Sequence, residues 1–539
     1  MLSAWSMRRM QDNQIFSKTD KGNMENWRTQ HGKVQLRSGE QPTTADANVA
    51  FAALIIAFRA GHLSDAHDGA LALVKVHPDF TKAWHLLAQI ARARGDAPAA
   101  IIFLRKAIET APDDYALHND LGLALQLRGQ FARALGALQR SRVLAPNEVA
   151  PVLNCANVHA RLGQTDAAIA SYRAALRLHP KHVPTLSSLA ALLEAVGRLQ
   201  AASDAVKLGL SVDAKAPALQ LVAARLERRA GHYEKAMRRL LVHLHAELPA
   251  AQQVAMYREI GFIHDATEDY DDAIKAFKRA NRVAARITRQ ITSSATVTAK
   301  FTAATAAIAA RCGNTALGRQ DADRIPAPVF VVGFPGAGAH RLGAMLRACG
   351  VLNVGIERDV WQRIRELKAR AEADSERPLE AVLKDLRSYY HERSQGSDTG
   401  PFVEVATLGL ADLDLWLELF PDARMVRVLR DPNDTVLSAL VQFHANSDAS
   451  GLLLHPSDAL KLYVQMRELW DVAIASLNLE ILMVRYADLL SIDNGVLTEV
   501  ALFICDDLLP PPTQIDPRLD DETMFAPGHA RHYKSWLQA

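Results

Sequence analysis

Two stretches of this chain hold residue types and spacing that could bind an anion at the edge of a sheet. The first is Val329 to Leu346, VFVVGFPGAGAHRLGAML, where an apolar β-branched run meets three glycines and then a helix-competent segment. The pattern reads as strand, loop and helix. Gly333, Gly336 and Gly338 keep Cβ atoms out of the loop, so its backbone N–H groups can turn inward at a helix start and hold an anion. The second stretch is Arg427 to Phe443, RVLRDPNDTVLSALVQF. A strand runs into an Arg-Asp-Pro turn and a helix, which puts Arg430 at the carboxyl end of the strand and Ser438 two turns into the helix. In an open parallel sheet the ligand edge lies at the carboxyl ends of the strands.

Each stretch also has a plainer reading. The glycine loop could be a tight connection that binds nothing, Arg430 could pair with Asp431 or Asp434, and Ser438 could fill a helix. The loop is not a nucleoside-triphosphate loop, because Ala339 and His340 stand where that motif needs Lys and then Ser or Thr.

The elements between these stretches form an alternating series. A helix from Ala339 to Ala348 leads to the short strand and charged helix of VLNVGIERDVW, with Glu357 at their junction. A helix from Pro378 to Glu392, a strand from Phe402 to Val405, a helix from Leu413 to Phe420 and a strand from Ala423 to Leu429 follow. Tyr463, Met466 and Trp470 share one helix face and read as core. Strands alternating with helices predict an α/β domain with a parallel sheet.

Upstream the chain is repetitive. Glycine recurs at Gly61, Gly95, Gly129, Gly163, Gly197 and Gly231, each 34 residues after the last, and Ala66, Ala100, Ala134, Ala168, Ala202 and Ala236 keep the same period. Pro78, Pro112, Pro146 and Pro180 keep it too. This pattern resembles the tetratricopeptide repeat, a helix-turn-helix unit that stacks into a solenoid. Glycine allows a positive φ where the first helix stops, and alanine lets the two helices approach. Trp84, Leu87, Leu104 and Ala107 fill the packing positions of one unit, and Leu121, Gly122 and Leu138 those of the next. A seventh, shifted unit holds Tyr257, Gly261, Ala273, Phe277 and Ala280. The resemblance implies a groove for a protein or peptide, or a plain spacer; Asn154 and Asn157 are groove candidates of little weight. The expected organisation is a tail over 1–46, a solenoid of about seven units over 47–285, a helical linker over 286–325 and a chemical domain over 326–539.

Composition narrows the partners. In 539 residues, Lys and Arg number 62 against 60 for Asp and Glu, and no like-charge block stands out. Nucleic acid and anionic membranes are not suggested. Cys155, Cys312, Cys349 and Cys505 are scattered, without CxxC or zinc spacing, so no metal site is expected. With no apolar leader and no run of membrane-span length, the expected setting is soluble, reducing and cytoplasmic.

The apolar strand with its PxxG loop, followed by RDPxDxxLS, resembles the sulfotransferases that use 3'-phosphoadenosine 5'-phosphosulfate (PAPS). The fused repeats resemble the tetratricopeptide-repeat sulfotransferases, relatives of the tyrosylprotein sulfotransferases. The resemblance implies a multidomain chain, an all-α repeat solenoid followed by an α/β sulfotransferase domain with a P-loop-like parallel sheet. It implies that Arg430 and Ser438 hold the 3'-phosphate, that Tyr486 in ILMVRYADLL contacts the cofactor, and that Gly336, Ala337, Gly338, Ala339 and His340 form the phosphosulfate loop. Glu357 falls where the family carries a catalytic glutamate, with a helix-start carboxylate as its plainer reading. Arg531 or Lys534, in GHARHYKSWL, falls in the segment that closes over the cofactor. The family loop usually reads PRSGTT, and here the cation and three hydroxyls are missing; Glu404 to Thr407 likewise lacks the family's strand-end lysine. His340 is the loop group left to supply a proton or positive charge. The implied activity is sulfonate transfer from PAPS to a hydroxyl, such as that of a protein tyrosine. The alternative is a weak or inactive sulfotransferase fold used as a binding scaffold. Gly336→Arg with Ala337→Ser and Ala339→Thr would restore the loop.

Overall fold

A computed structural model describes residues 44–162, 164–245, 247–287, 294–310, 327–349, 353–354, 358–372, 378–394, 402–407, 409–442, 451–477, 479–490, 495–505 and 525–538. The chain divides into two compact units, Met1–Thr185 and Leu186–Ala539.

The first unit is built of helix pairs, Thr44–Arg59 with Leu63–Val76, Thr81–Ala93 with Ala97–Thr110, Tyr115–Leu127 with Phe131–Leu144, and Val149–Arg161 with Thr165–Leu178. The turn glycines Gly61, Gly95 and Gly129 have φ of +82°, +79° and +74°, a conformation that carries little cost only without a side chain. Ala66, Ala100, Ala134 and Ala168 are fully buried between paired helices. Asn154 Nδ2 donates to Asn119 Oδ1 at 2.8 Å, and Asn157 Oδ1 accepts from Tyr172 at 2.7 Å. These asparagines therefore tie helices together.

The second unit continues the same design through Ala202 and Ala236, both fully buried, to the pair Ala250–Ala266 and Tyr270–Ile287. A Cβ on Gly261 would lie 2.5 Å from the Phe277 ring, so the glycine lets these two helices close on an aromatic side chain. The helix Ser294–Ala310, in the stretch expected as linker, sinks Val297, Phe301, Ala304 and Ile308 into a core shared with Phe262 and Phe277 of the last repeat. Trp416, Trp470 and Trp536 of the α/β region belong to that same core.

The α/β region holds a five-stranded parallel sheet. Its strands are β1 (Val329–Val332), β2 (Asn353–Val354), β3 (Phe402–Ala406), β4 (Met425–Leu429) and β5 (Ile481–Arg485), in the order β2-β3-β1-β4-β5. The apolar run of β1 is central and buried on both faces, as parallel strands require. Phe330 and Val332 face the large core, where Phe330 stacks on Trp416 with centroids 4.3 Å apart. Val329 and Val331 face the other side, against Leu342 and Leu346 of the helix Ala339–Ala348. Among the described residues, no helix is long and apolar enough to cross a membrane.

Candidate functional site

The carboxyl ends of β1 and β4 lie side by side, because these strands pair from Phe330 with Met425 to Val332 with Arg427. This register brings the two sequence stretches together. β4 ends at Leu429, Asp431 caps the next helix by accepting from Asn433 N and Asp434 N, and Pro432 opens that helix. Arg430 is thus fixed between a strand end and a capped helix. Its Nη1 donates to Ser438 Oγ and to the Gly336 carbonyl, each at 2.8 Å, and its Nη2 donates to the Phe525 carbonyl. Its guanidinium carbon stands 4.4 Å from the centroid of the Tyr486 ring, a cation–π distance. Burial holds the pKa of Arg430 below the usual arginine value, and the charge stays in place.

The glycine loop is wedged between two neighbours. Gly336 has φ +87°, and a Cβ there would sit 2.6 Å from the Thr435 carbonyl oxygen and 2.9 Å from Ala439 N. Gly338 has φ +109°, and its Cβ would sit 2.6 Å from the Tyr486 ring. Tyr486 N donates to Leu429 O at 2.7 Å, so the ladder of β4 and β5 runs on one step and lays the ring over the loop. The glycines are therefore required by packing as well as by backbone conformation. An arginine at 336 has neither the φ nor the space it needs, so the loop restoration suggested by the family pattern does not fit this fold.

A further segment, Phe525 to Leu537, completes the site. Asp434, fully buried, accepts from Ala530 N at 2.8 Å and from Gly528 N. The same segment reaches the last repeat, where His529 Nε2 and Tyr533 Oη each lie 2.7 Å from Asp265 Oδ1. His532 stacks on Tyr270 at 4.3 Å, and Trp536 lies parallel to Phe277 at 6.1 Å. One short piece of chain thus touches both Arg430 and the final helix pair of the solenoid.

On the large-core face of the sheet a cleft opens beside the loop. It is lined by Gly333, Phe334 and Ala337 of the loop, by Arg427 and Arg430, and by Tyr463, Met466, Arg467 and Trp470. Met466 and Trp470 are buried, as their helix face predicts, and Tyr463 packs edge-on against Phe334 at 5.2 Å. Arg427 was hidden in the sequence inside an apolar strand. The signal that could have revealed it is a charged residue at an interior position of that strand.

The remaining sequence candidates fall elsewhere or outside view. His340 is exposed at the start of the loop helix, and Ala337 and Ala339 are buried. Glu357 lies outside the described residues. Arg531 is exposed, with its Nε 3.0 Å from His532 Nε2, and does not line the cleft. Glu404, at the start of the stretch where the family pattern carries its strand-end lysine, is buried and accepts from Trp361 Nε1 at 2.7 Å and Tyr390 Oη at 2.9 Å. Burial pushes its carboxyl pKa up to about 7, against the two hydrogen bonds that lower it. Among the described residues one cluster has metal-ligand chemistry, His264, Asp269 and Asp272 in the last repeat. It is a surface ion-pair group, with Asp272 bonded to Lys275 at 2.5 Å.

Residues 328–504 match the family model of a sulfotransferase family, and residues 51–115 and 153–218 match that of the tetratricopeptide repeat. The chain therefore carries a sulfotransferase-family domain behind tetratricopeptide repeats, modules that in general mediate protein–protein interaction. Among solved structures, it is similar to PilF of Pseudomonas aeruginosa, with a TM-score of 0.34 and 16% identity over 38% of this chain and 94% of that one. It is also similar to PilW, a type IV pilus biogenesis factor, with a TM-score of 0.34 and 20% identity over 36% of this chain and 91% of that one. The human IFIT1 dimer with m7Gppp-AAAA matches with a TM-score of 0.37 and 15% identity over 52% of this chain and 66% of that one. A comparison with curated proteins finds no match.

Proposed function

We propose that the sulfotransferase-family domain binds PAPS at the carboxyl edge of β4 and passes its sulfonate to a hydroxyl, such as a tyrosine of a protein held by the repeats. The observation that supports this reading is the Arg430–Ser438 pair, a guanidinium and a hydroxyl 2.8 Å apart at the strand ends. The pair fits a phosphate: both groups can donate to its oxygens, and the Phe525 carbonyl now on Nη2 is an oxygen that a phosphate oxygen can replace. Tyr486 supports the guanidinium plane from one side. At the other end the glycines leave backbone amides at a helix start for a second anionic group.

When bound, PAPS supplies a sulfonate activated by its bond to the 5'-phosphate. The chain's own part is to hold the nucleotide through Arg430 and Ser438, and to move the acceptor's proton. Glu357 is the proposed base for that proton, and His340, exposed at the loop helix, the group that can place a proton or charge near the loop. Asp265, through His529 and Tyr533, holds the closing segment in register with Asp434.

A second reading is favoured by three features. The loop carries no arginine or lysine, Gly338 lies under Tyr486, and two of the bonds from Arg430 end on the protein's own carbonyls. These features support a fold that recognises a nucleotide or a protein without efficient transfer. Calorimetric titration with 3'-phosphoadenosine 5'-phosphate, followed by sulfonate transfer from radiolabelled PAPS to tyrosine peptides and small phenols, separates the two. Binding with transfer supports the enzyme, binding without transfer supports the scaffold, and absence of binding rejects a PAPS site.

A further inference from the structure

Arg427 is a charge in an unusual place. It stands on β4 in the middle of the sheet, half-buried, and burial holds its pKa below the usual arginine value. Its guanidinium carbon lies 5.1 Å from the centroid of the buried Trp470 ring. Among the described residues no carboxylate forms an ion pair with it; Asp471, the acidic group that acts on it through space, lies 3.9 Å from Arg467 instead. A partly desolvated cation that, among the described residues, stacks on a ring and pairs with no carboxylate can attract an anion.

The surroundings say which anion. Arg427 shares its cleft with Gly333, Phe334 and Ala337 of the glycine loop, and with Arg430 and Arg467. The cleft is open to solvent on one side and offers about 40 Å³, more than the roughly 10–15 Å³ a water needs. It has room for a tetrahedral oxyanion. The loop alongside carries no Arg or Lys between Val332 and Ala339.

We infer that Arg427 forms an oxyanion subsite with the glycine loop and receives the 5'-phosphate or sulfonate end of the nucleotide, supplying from β4 the cation that the loop lacks. This rests on the PAPS reading above. Arg430 and Arg427 then divide the ligand between them, one at the 3'-phosphate and the other at the 5' end, and Trp470 keeps the Arg427 guanidinium beside the loop.

Calorimetry on the full chain tests the division. The probes are 3'-phosphoadenosine 5'-phosphate and adenosine 3'-monophosphate, which lacks the 5'-phosphate, each titrated into wild type, Arg427→Met and Arg427→Lys. Arg427→Met should weaken the bisphosphate about tenfold or more and leave the monophosphate within about twofold, while the lysine recovers part of the loss. The unchanged monophosphate affinity also shows that the variant is folded. Equal weakening of both nucleotides, or of neither, overturns the subsite. Should wild type bind neither nucleotide, the PAPS reading fails and inorganic sulfate decides the subsite alone. At constant ionic strength sulfate should then raise the Tm of wild type and not of Arg427→Met; the same shift in both proteins rejects the assignment.

Discussion

Arg430 is held by a hydroxyl, two carbonyls and an aromatic ring, so its removal acts on the phosphate site and on the packing around it at once. Arg430→Ala should cost about 1.5 to 3 kcal/mol of binding to 3'-phosphoadenosine 5'-phosphate; an affinity equal to wild type would remove this residue from the site. Glu404 offers a second test. Its folded-state pKa, about 7, lies above the usual carboxylate value. The folded state therefore binds the proton more tightly, and the stability this contributes is complete below the unfolded pKa and lost as pH rises through about 7. Glu404→Gln imitates the neutral acid, with an oxygen for Trp361 and an amide for Tyr390. Thermal melts of the two proteins should coincide near pH 4.5 and separate by about 2 to 3 kcal/mol in favour of the variant at pH 8. Parallel curves across that range would mean that Glu404 titrates normally. Arg430, Ser438 and the glycines were legible in the sequence because their spacing is local. Arg427 and Glu404 were not, since what matters for each is a neighbour 40 or so residues away, Trp470 for one and Trp361 for the other.

Among the elements, the repeats were the easiest to read. A 34-residue phase in glycine and alanine reports a geometry that each unit must satisfy by itself, a left-handed turn and a close helix approach. Ala134 is fully buried, and its carbonyl oxygen lies 3.3 Å from where a Cβ on Gly122 would stand. Ala134→Leu should therefore destabilise the first unit by about 1 to 3 kcal/mol through overpacking, measured as a lower urea midpoint for the helical signal. An unchanged midpoint would show that the helices part without cost. The stretch Ser294–Ala310 was harder. Its Ala- and Thr-rich sequence reads as a bare helix, yet Gln465 Nε2 donates to Thr298 Oγ1 at 3.0 Å and Phe301 and Ile308 are buried in the main core. Uniform small residues blur a helical face, so the sequence showed the helix and not the side it buries.

At the scale of the molecule, the last repeat has become part of the chemical domain. Asn281 Nδ2 donates at 3.1 Å to the Leu440 carbonyl, in the helix that carries Ser438, and at 3.1 Å to the Leu454 carbonyl. Asn281→Ala should lower the stability of the second unit by about 1 to 3 kcal/mol and leave that of the first unchanged. A loss in both units, resolved by proteolysis and mass spectrometry, would contradict this. The closing segment has a consequence in time. Among the described residues, the longest-range side-chain hydrogen bonds of the first unit join residues 26 to 35 apart, such as Ser141 to Tyr115 and Asn154 to Asn119. Tyr533 and Asp265 stand 268 apart. Loops of that length form late, because their entropy is lost before any contact is made. Helical circular dichroism should thus recover early in a stopped-flow refolding experiment, while fluorescence from the buried Trp416, Trp470 and Trp536 follows in a slower phase. Arg430, which waits on Phe525 for one of its bonds, would be finished with the last of them, so that nucleotide binding becomes the final signal of a completed chain.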